Sequence, residues 1–185
     1  MGAPLTARSK HFLGVVPQEI CLYDRLTCEE NLRFVASLYG LRGRQREQRV
    51  NHCLSLFELT DRRHSLVRTL SGGMQRRLHV AVGMVHGPKL LILDEPTVGM
   101  DMESRRLLWQ LVKQLRSQDL AILLTTHLVD EAETLCDRIG ILRAGRLVAE
   151  GTLAALRQQI PAVQIVTVRT PQEALLIERI GTLGI

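Results

Sequence analysis

Leu70-Ser71-Gly72-Gly73-Met74-Gln75 and, further on, Leu90-Leu91-Ile92-Leu93-Asp94-Glu95-Pro96 decide the reading of this 185-residue chain. In the first stretch Ser71 stands where a helix N-cap is expected, and two glycines follow in the first turn. Each glycine there costs about 1 kcal/mol of helix stability against alanine, so helix formation alone explains them poorly. Bare backbone N–H groups at the positive end of a helix let an anion approach closely, which explains them better. In the second stretch four apolar residues run directly into two carboxylates. That pattern is a buried strand with acids at its carboxyl end, where open α/β sheets place ligands. One acid there can hold a hard divalent cation through water, and the other can accept a proton from water.

Working outward, Leu13 to Pro17 reads as a short apolar strand, and Gln18 begins a loop running to Leu26. Thr27 and Glu30 form a capping box before an apolar stripe of Leu32, Val35, Ala36 and Leu38, ended by Gly40. A charged helix from about Arg44 to Phe57 places Val50, Cys53, Leu54 and Phe57 on one face. The Ser71 helix runs to Met84 or His86 and stops at Gly87-Pro88. Leu90–Leu93 and Ala121–Thr125 are continuous apolar runs, expected to be strands covered on both faces, with a helix from Met102 to Arg116 between them. That βαβ alternation predicts a parallel sheet with right-handed crossovers. Beyond His127 the pattern gives a helix through Cys136, a strand over 138–142, a turn at Ala144-Gly145 and a strand over 146–149. A helix, a β-rich run over 163–168 and a helix started by Pro171 complete the chain.

Composition bounds the partners. At 45% hydrophobic the chain can bury one domain-sized core, with room for a small appendage. It has no run of about eighteen apolar residues and no charged-then-apolar leader, which leads to an expected cytoplasmic location. Cys21, Cys28, Cys53 and Cys136 lack C-x-x-C spacing and read as reduced, mostly buried thiols. The net charge of +5 reads as a solvated basic surface; with one Trp, two Tyr and three Phe, and no basic stretch interleaved with them, no nucleic-acid partner is expected.

The two opening stretches, in this order, resemble the signature and Walker B motifs of ATP-binding cassette (ABC) ATPases. Gln18 after Val15-Val16-Pro17 looks like the family's glutamine loop. Val98-Gly99-Met100-Asp101 occupies the D-loop position, with Val98 and Met100 departing from the usual residues, and Asp101 serves equally as a helix N-cap. His127, after Leu123-Leu124-Thr125-Thr126, matches the switch histidine. The resemblance implies an α/β P-loop NTPase fold: a parallel sheet core with an inserted helical subdomain. It divides the chain into a partial core with the glutamine loop (1–26), a helical subdomain with the signature (27–87), the core with Walker B, D-loop and switch histidine (88–151), and the start of an accessory region (152–185).

By the same resemblance the cofactors are ATP and Mg2+. Asp94 and Gln18 would serve the metal, Glu95 would act as general base, and Gln18 and His127 would contact the attacking water and the γ-phosphate. Ser71, Gly72, Gly73, Gln75 and Asp101 would bind ATP held by a second ABC ATPase subunit, in a head-to-tail dimer. Arg76 and Arg77 continue the family pattern but fit a solvated helical face as well. His127–Glu133 and Gly140–Gly151 look most like ATPase subunits of multidrug or polysaccharide exporters. Such subunits are peripheral to the inner face of the cell membrane, where membrane-spanning permease subunits would dock beside Gln18–Asp24.

No G-x-x-x-x-G-K-[ST] string, the Walker A phosphate loop, occurs in the chain. The fold is therefore expected to be incomplete at its N-terminus, as in an N-terminally truncated family member, and the isolated chain to be inactive. A non-catalytic remnant is the alternative reading. A DNA-repair type ABC ATPase is disfavoured, because no sustained heptads lie between Gln18 and Ser71.

Overall fold

In the computed structural model residues 7–116 and 120–159 are described. After a short helix, α1 (Ala7–Lys10), strand β1 (Leu13–Val16) leads into the loop that carries Gln18. Next come α2 (Cys28–Leu38), α3 (Gly43–Leu56) and α4 (Gly72–Met84), and then β2 (Leu90–Asp94), α5 (Met102–Arg116), β3 (Ala121–Thr125) and α6 (Val129–Leu135). β1, β2 and β3 form a parallel sheet in that order, with Leu13 beside Leu90 beside Ala121 and Val16 beside Leu93 beside Leu124. The β2–α5–β3 unit is the βαβ crossover the apolar pattern predicts.

The helices form for local reasons. Thr27 Oγ1 accepts from Glu30 N at 3.2 Å while Glu30 Oε2 accepts from Thr27 N at 2.8 Å, so the capping box starts α2 as expected. Val50, Cys53 and Leu54 of α3 and the adjoining Phe57 are fully buried. Burying each large side chain of this kind is worth about 1.5–3 kcal/mol. At the other end of the sequence segment, Arg49 donates from Nε to Val85 O at 2.9 Å and from Nη2 to Met84 O at 3.0 Å, satisfying carbonyls at the end of α4.

α4 is the hub. It packs against α2 and α3 on one side and against β1 and β2 on the other. A Cβ on Gly14 would lie 2.3 Å from Gly83 O, so strand and helix backbones meet at a distance only glycine permits. The described residues up to Asp137 accordingly form one compact unit. The sheet face beneath α4, with Val16, Leu91 and Leu93, is fully buried, whereas the opposite face is open: Val15 is 56% and Leu123 53% exposed. The expectation that 121–125 is covered on both faces is thus corrected. Ala121, Leu123 and Thr125 are exposed, and Ile122 and Leu124 are half-buried.

The second unit begins at Arg138 and contains β4 (Ile139–Arg143), β5 (Arg146–Gly151) and α7 (Leu153–Gln159). β4 and β5 pair antiparallel through Ala144 and Gly145, both at positive φ, the geometry of a tight hairpin turn. β4 and β5 pair with each other, and β5 packs on α7. The expected β-run at 163–168 and the Pro171 helix lie outside the described residues. All four cysteines are free: Cys28 and Cys53 are buried, Cys136 is half-buried and Cys21 exposed, and burial pushes the Cys53 thiol up to about 12. Among the described residues no helix is long and apolar enough to cross a membrane.

Candidate active site

The acids stand where the parallel register puts them. Asp94 is paired with Thr125 across β2 and β3, so the residues just beyond each strand become neighbours. Asp94 Oδ1 accepts a short hydrogen bond from Thr125 Oγ1, and Glu95 N donates to Thr125 O at 3.0 Å. Glu95 itself sits at φ 47°, a left-handed conformation that side chains other than glycine seldom adopt. That turn points its carboxylate at His127, with Oε2 2.8 Å from Nδ1. Asp94 and His127 are exposed and Glu95 half-buried, so all three present polar atoms at the carboxyl end of the sheet.

Gln18, also exposed, is tied to this cluster through Arg76. The Arg76 guanidinium donates from Nη1 to Gln18 O at 2.8 Å and from Nη2 to Glu95 O at 3.1 Å. Arg76 is 4% exposed, and its neighbour Arg77, 8% exposed, donates to Phe57 O at 2.9 Å and pairs with Glu58 at 3.3 Å. Neither arginine belongs to a solvated face. Helical spacing could not have said so, because residues 76–81 of α4 are buried all round and no polar stripe exists to read.

Ser71 caps α4, its Oγ accepting from Met74 N at 3.3 Å, which leaves the hydroxyl hydrogen available to a ligand. The two glycines divide. A Cβ on Gly72 would meet nothing within 4 Å, so its backbone is open to an approaching group. A Cβ on Gly73 would lie 2.5 Å from Ser104 Oγ and 2.9 Å from Ser104 Cβ. Packing of α4 on α5 therefore requires glycine at position 73 on its own account, whereas nothing in the packing requires it at position 72. Gln75 Nε2 donates to Val67 O and Leu70 O, both at 3.2 Å, so its amide braces the loop before α4. Asp101 Oδ1 accepts from Ser104 N at 2.9 Å as the N-cap of α5, and this bond holds its carboxyl below the ordinary range. A cleft of about 380 Å³ is lined by Gln18–Ile20, Gly72, Arg76 and Val98–Met100. The loop after β1, the head of α4 and the loop after β2 thus share one opening.

Two histidines of α4 and its end carry no assignment in the sequence. His79, one turn beyond Arg76, is buried, and its Nε2 accepts from Cys21 N at 3.4 Å, a second tether between α4 and the glutamine loop. Burial, helped by Arg76, pushes its pKa down to about 4. His86 is likewise structural, with Nε2 3.0 Å from Leu13 O and its ring stacked on Tyr39 at 3.7 Å.

Comparison with known proteins identifies the family. A model of the family described as ABC transporter matches residues 3–98. The chain is 41% identical over 174 residues to the linearmycin resistance ATP-binding protein LnrL of Bacillus subtilis (93% of this chain, 56% of that protein). It is 43% identical over 153 residues to the Nod factor export ATP-binding protein I of Cupriavidus metallidurans (81% of this chain, 50% of that protein). It thus spans little more than half the length of these relatives. A solved dimeric structure of the ATP-binding cassette MJ0796, in a post-hydrolysis state bound to ADP and Pi, superposes with a TM-score of 0.66 at 28% identity, over 76% of this chain and 62% of that one. With the signature at the head of α4, paired acids at the end of β2 and a histidine beyond β3, this chain belongs to the ABC transporter family, whose members bind nucleotide.

Proposed function

We propose that the chain is the signature-bearing part of an ATP-binding and ATP-hydrolysing subunit of an ABC exporter. It would work at the inner face of the cell membrane, with separate membrane-spanning permease subunits selecting the cargo. The observation carrying this reading is the Glu95–His127 contact: a half-buried carboxylate held at 2.8 Å by an imidazole, next to an exposed Asp94 whose rotamer Thr125 fixes. Glu95 would orient the attacking water and accept its proton, His127 would hold that carboxylate in place, and Gln18 would follow its position through Arg76. The export direction is supported by the similarity to a Nod factor export ATP-binding protein.

Magnesium fits the donor set. Among the described residues no three His, Cys, Asp or Glu converge on one point, but magnesium beside a triphosphate needs only one or two protein oxygens. Asp94, together with Gln18, would hold the ion, which when bound would neutralise charge on the phosphates. The phosphates themselves require a backbone cradle of the Walker A kind, which these residues do not contain. Gly72 N and the Ser71 hydroxyl would then close on the terminal phosphate held by a second subunit, an arrangement consistent with the dimeric relative.

The test is an ATPase in which residues 12–151 of this chain are joined to a family member's Walker A segment. Glu95→Gln there keeps the shape and removes the proton acceptor. Hydrolysis is expected to fall by about 10²–10⁴-fold while ATP binding persists. Unchanged turnover would remove the assignment.

A further inference from the structure

We propose that Arg76 is a positioning residue, whose guanidinium spans the carbonyls of Gln18 and Glu95 and holds the Glu95 carboxylate in register with His127 and the glutamine loop. Glu95 owes its direction to a left-handed backbone, and that conformation persists only if its neighbours hold it. Both sides of the residue are held. On one side Glu95 N donates to Thr125 O at 3.0 Å, and on the other Glu95 O accepts from Arg76 Nη2 at 3.1 Å and from Val98 N at 3.3 Å. The same guanidinium reaches Gln18 O at 2.8 Å and, at the outer limit, Pro17 O at 3.5 Å. One planar group thus sets two carbonyls from distant parts of the sequence at a fixed separation, which a point-like ammonium cannot do.

A buried guanidinium needs a counter-charge. Glu131 on α6 is fully buried, and its carboxylate supports the Arg76 charge against a burial that lowers its pKa. Glu131 Oε1 accepts from Nε1 of Trp109, the single tryptophan, at 2.9 Å, and Oε2 has no hydrogen-bond partner. A displacement of the glutamine loop therefore pulls on Glu95 through Arg76, with no need for Gln18's own side chain to move. The term positioning rests on the hydrolytic reading of Glu95, but the geometry is testable without turnover.

The experiment uses the full 185-residue chain, its Arg76→Gln and Arg76→Lys variants, histidine-ring nitrogen spectra and amide exchange. In Arg76→Gln the amides of Glu95 and Val98 are expected to exchange at least tenfold faster, and His127 to lose the shift of a hydrogen-bonded Nδ1. The amides of Asn31 and Leu32 in α2 and the ring of His86 stay as they were. Arg76→Lys, with one ammonium for two carbonyls, restores part of the protection, at either Glu95 or the Gln18–Cys21 stretch. If Arg76→Gln does not fold, the Lys variant alone decides: selective loss at one carbonyl supports the proposal. Unaltered Glu95 exchange and His127 spectra overturn it, and so does a change that is as large in α2 and His86, since Arg76 would then merely support the fold. Failure of the hydrolytic reading leaves these signals intact, whereas failure of the clamp removes them whatever the chemistry.

Discussion

Replacing Gly73 by alanine sets two known effects against each other. The added methyl would lie 2.5 Å from Ser104 Oγ and 2.9 Å from Ser104 Cβ, distances at which one helix must move. The hydroxyl can rotate away; the Cβ cannot. Overpacking of this kind costs about 1–3 kcal/mol, while alanine gains about 1 kcal/mol over glycine in helix propensity. The net expectation is a loss of about 1 kcal/mol, or about 2–4 °C in Tm for a chain of this size. Gly72→Ala meets nothing within 4 Å and should be neutral or slightly stabilising. Urea denaturation of both variants measures the difference, and Ser104→Gly should erase the Gly73→Ala penalty in a double-mutant cycle. If Gly73→Ala is as harmless as Gly72→Ala, or if Ser104→Gly fails to rescue it, then α4 does not need Gly73 for its contact with α5.

Other outcomes follow from the same contacts. In the ATPase completed with a Walker A segment, Gly72→Ala should weaken ATP-dependent dimerisation, measured by light scattering, without lowering Tm; undiminished dimerisation would count against a phosphate role for Gly72. The 185-residue chain alone should bind ATP weakly and show negligible turnover, so robust phosphate release from it would overturn the need for the missing cradle. Acid should destabilise the fold. Glu30 and Asp101 have carboxyls held below the ordinary range by backbone N–H donors, so what they add is intact above the unfolded pKa and lost as pH falls through the folded one. His79, pushed down to about 4, stays neutral when folded, while its unfolded counterpart takes a proton below about pH 6.5. Its contribution is therefore full above that pH and declines towards pH 4. The urea midpoint should fall over this window and fall less steeply in His79→Gln; equal slopes would refute the histidine's part.

What the sequence revealed was what short-range chemistry decides. Thr27 and Glu30 announce the start of α2 because a capping box is complete within four residues, and Leu90–Glu95 announces a strand and its acids together. The fate of Arg76 was not legible, because its partners, Gln18 O and Glu95 O, come from loops that only the folded sheet brings to α4. The bracing role of Gln75 was hidden for a related reason, because the carbonyls it reaches, Val67 O and Leu70 O, are placed by the fold of the loop before α4. Gly72 and Gly73 were alike in sequence, and only the position of Ser104 on α5 separated them. The apolar run 121–125 signals burial on both faces, but a layer over Leu123 is a property of packing that the strand's own composition does not contain.

The most direct test is the structure of the completed ATPase carrying Glu95→Gln, trapped with ATP and magnesium. Two copies are expected to close head to tail, with Ser71 Oγ and Gly72 N of each within hydrogen-bonding distance of the γ-phosphate on the other, and with Asp94 facing the metal. A closed, nucleotide-bound assembly in which Ser71 and Gly72 face away from that phosphate would contradict this arrangement.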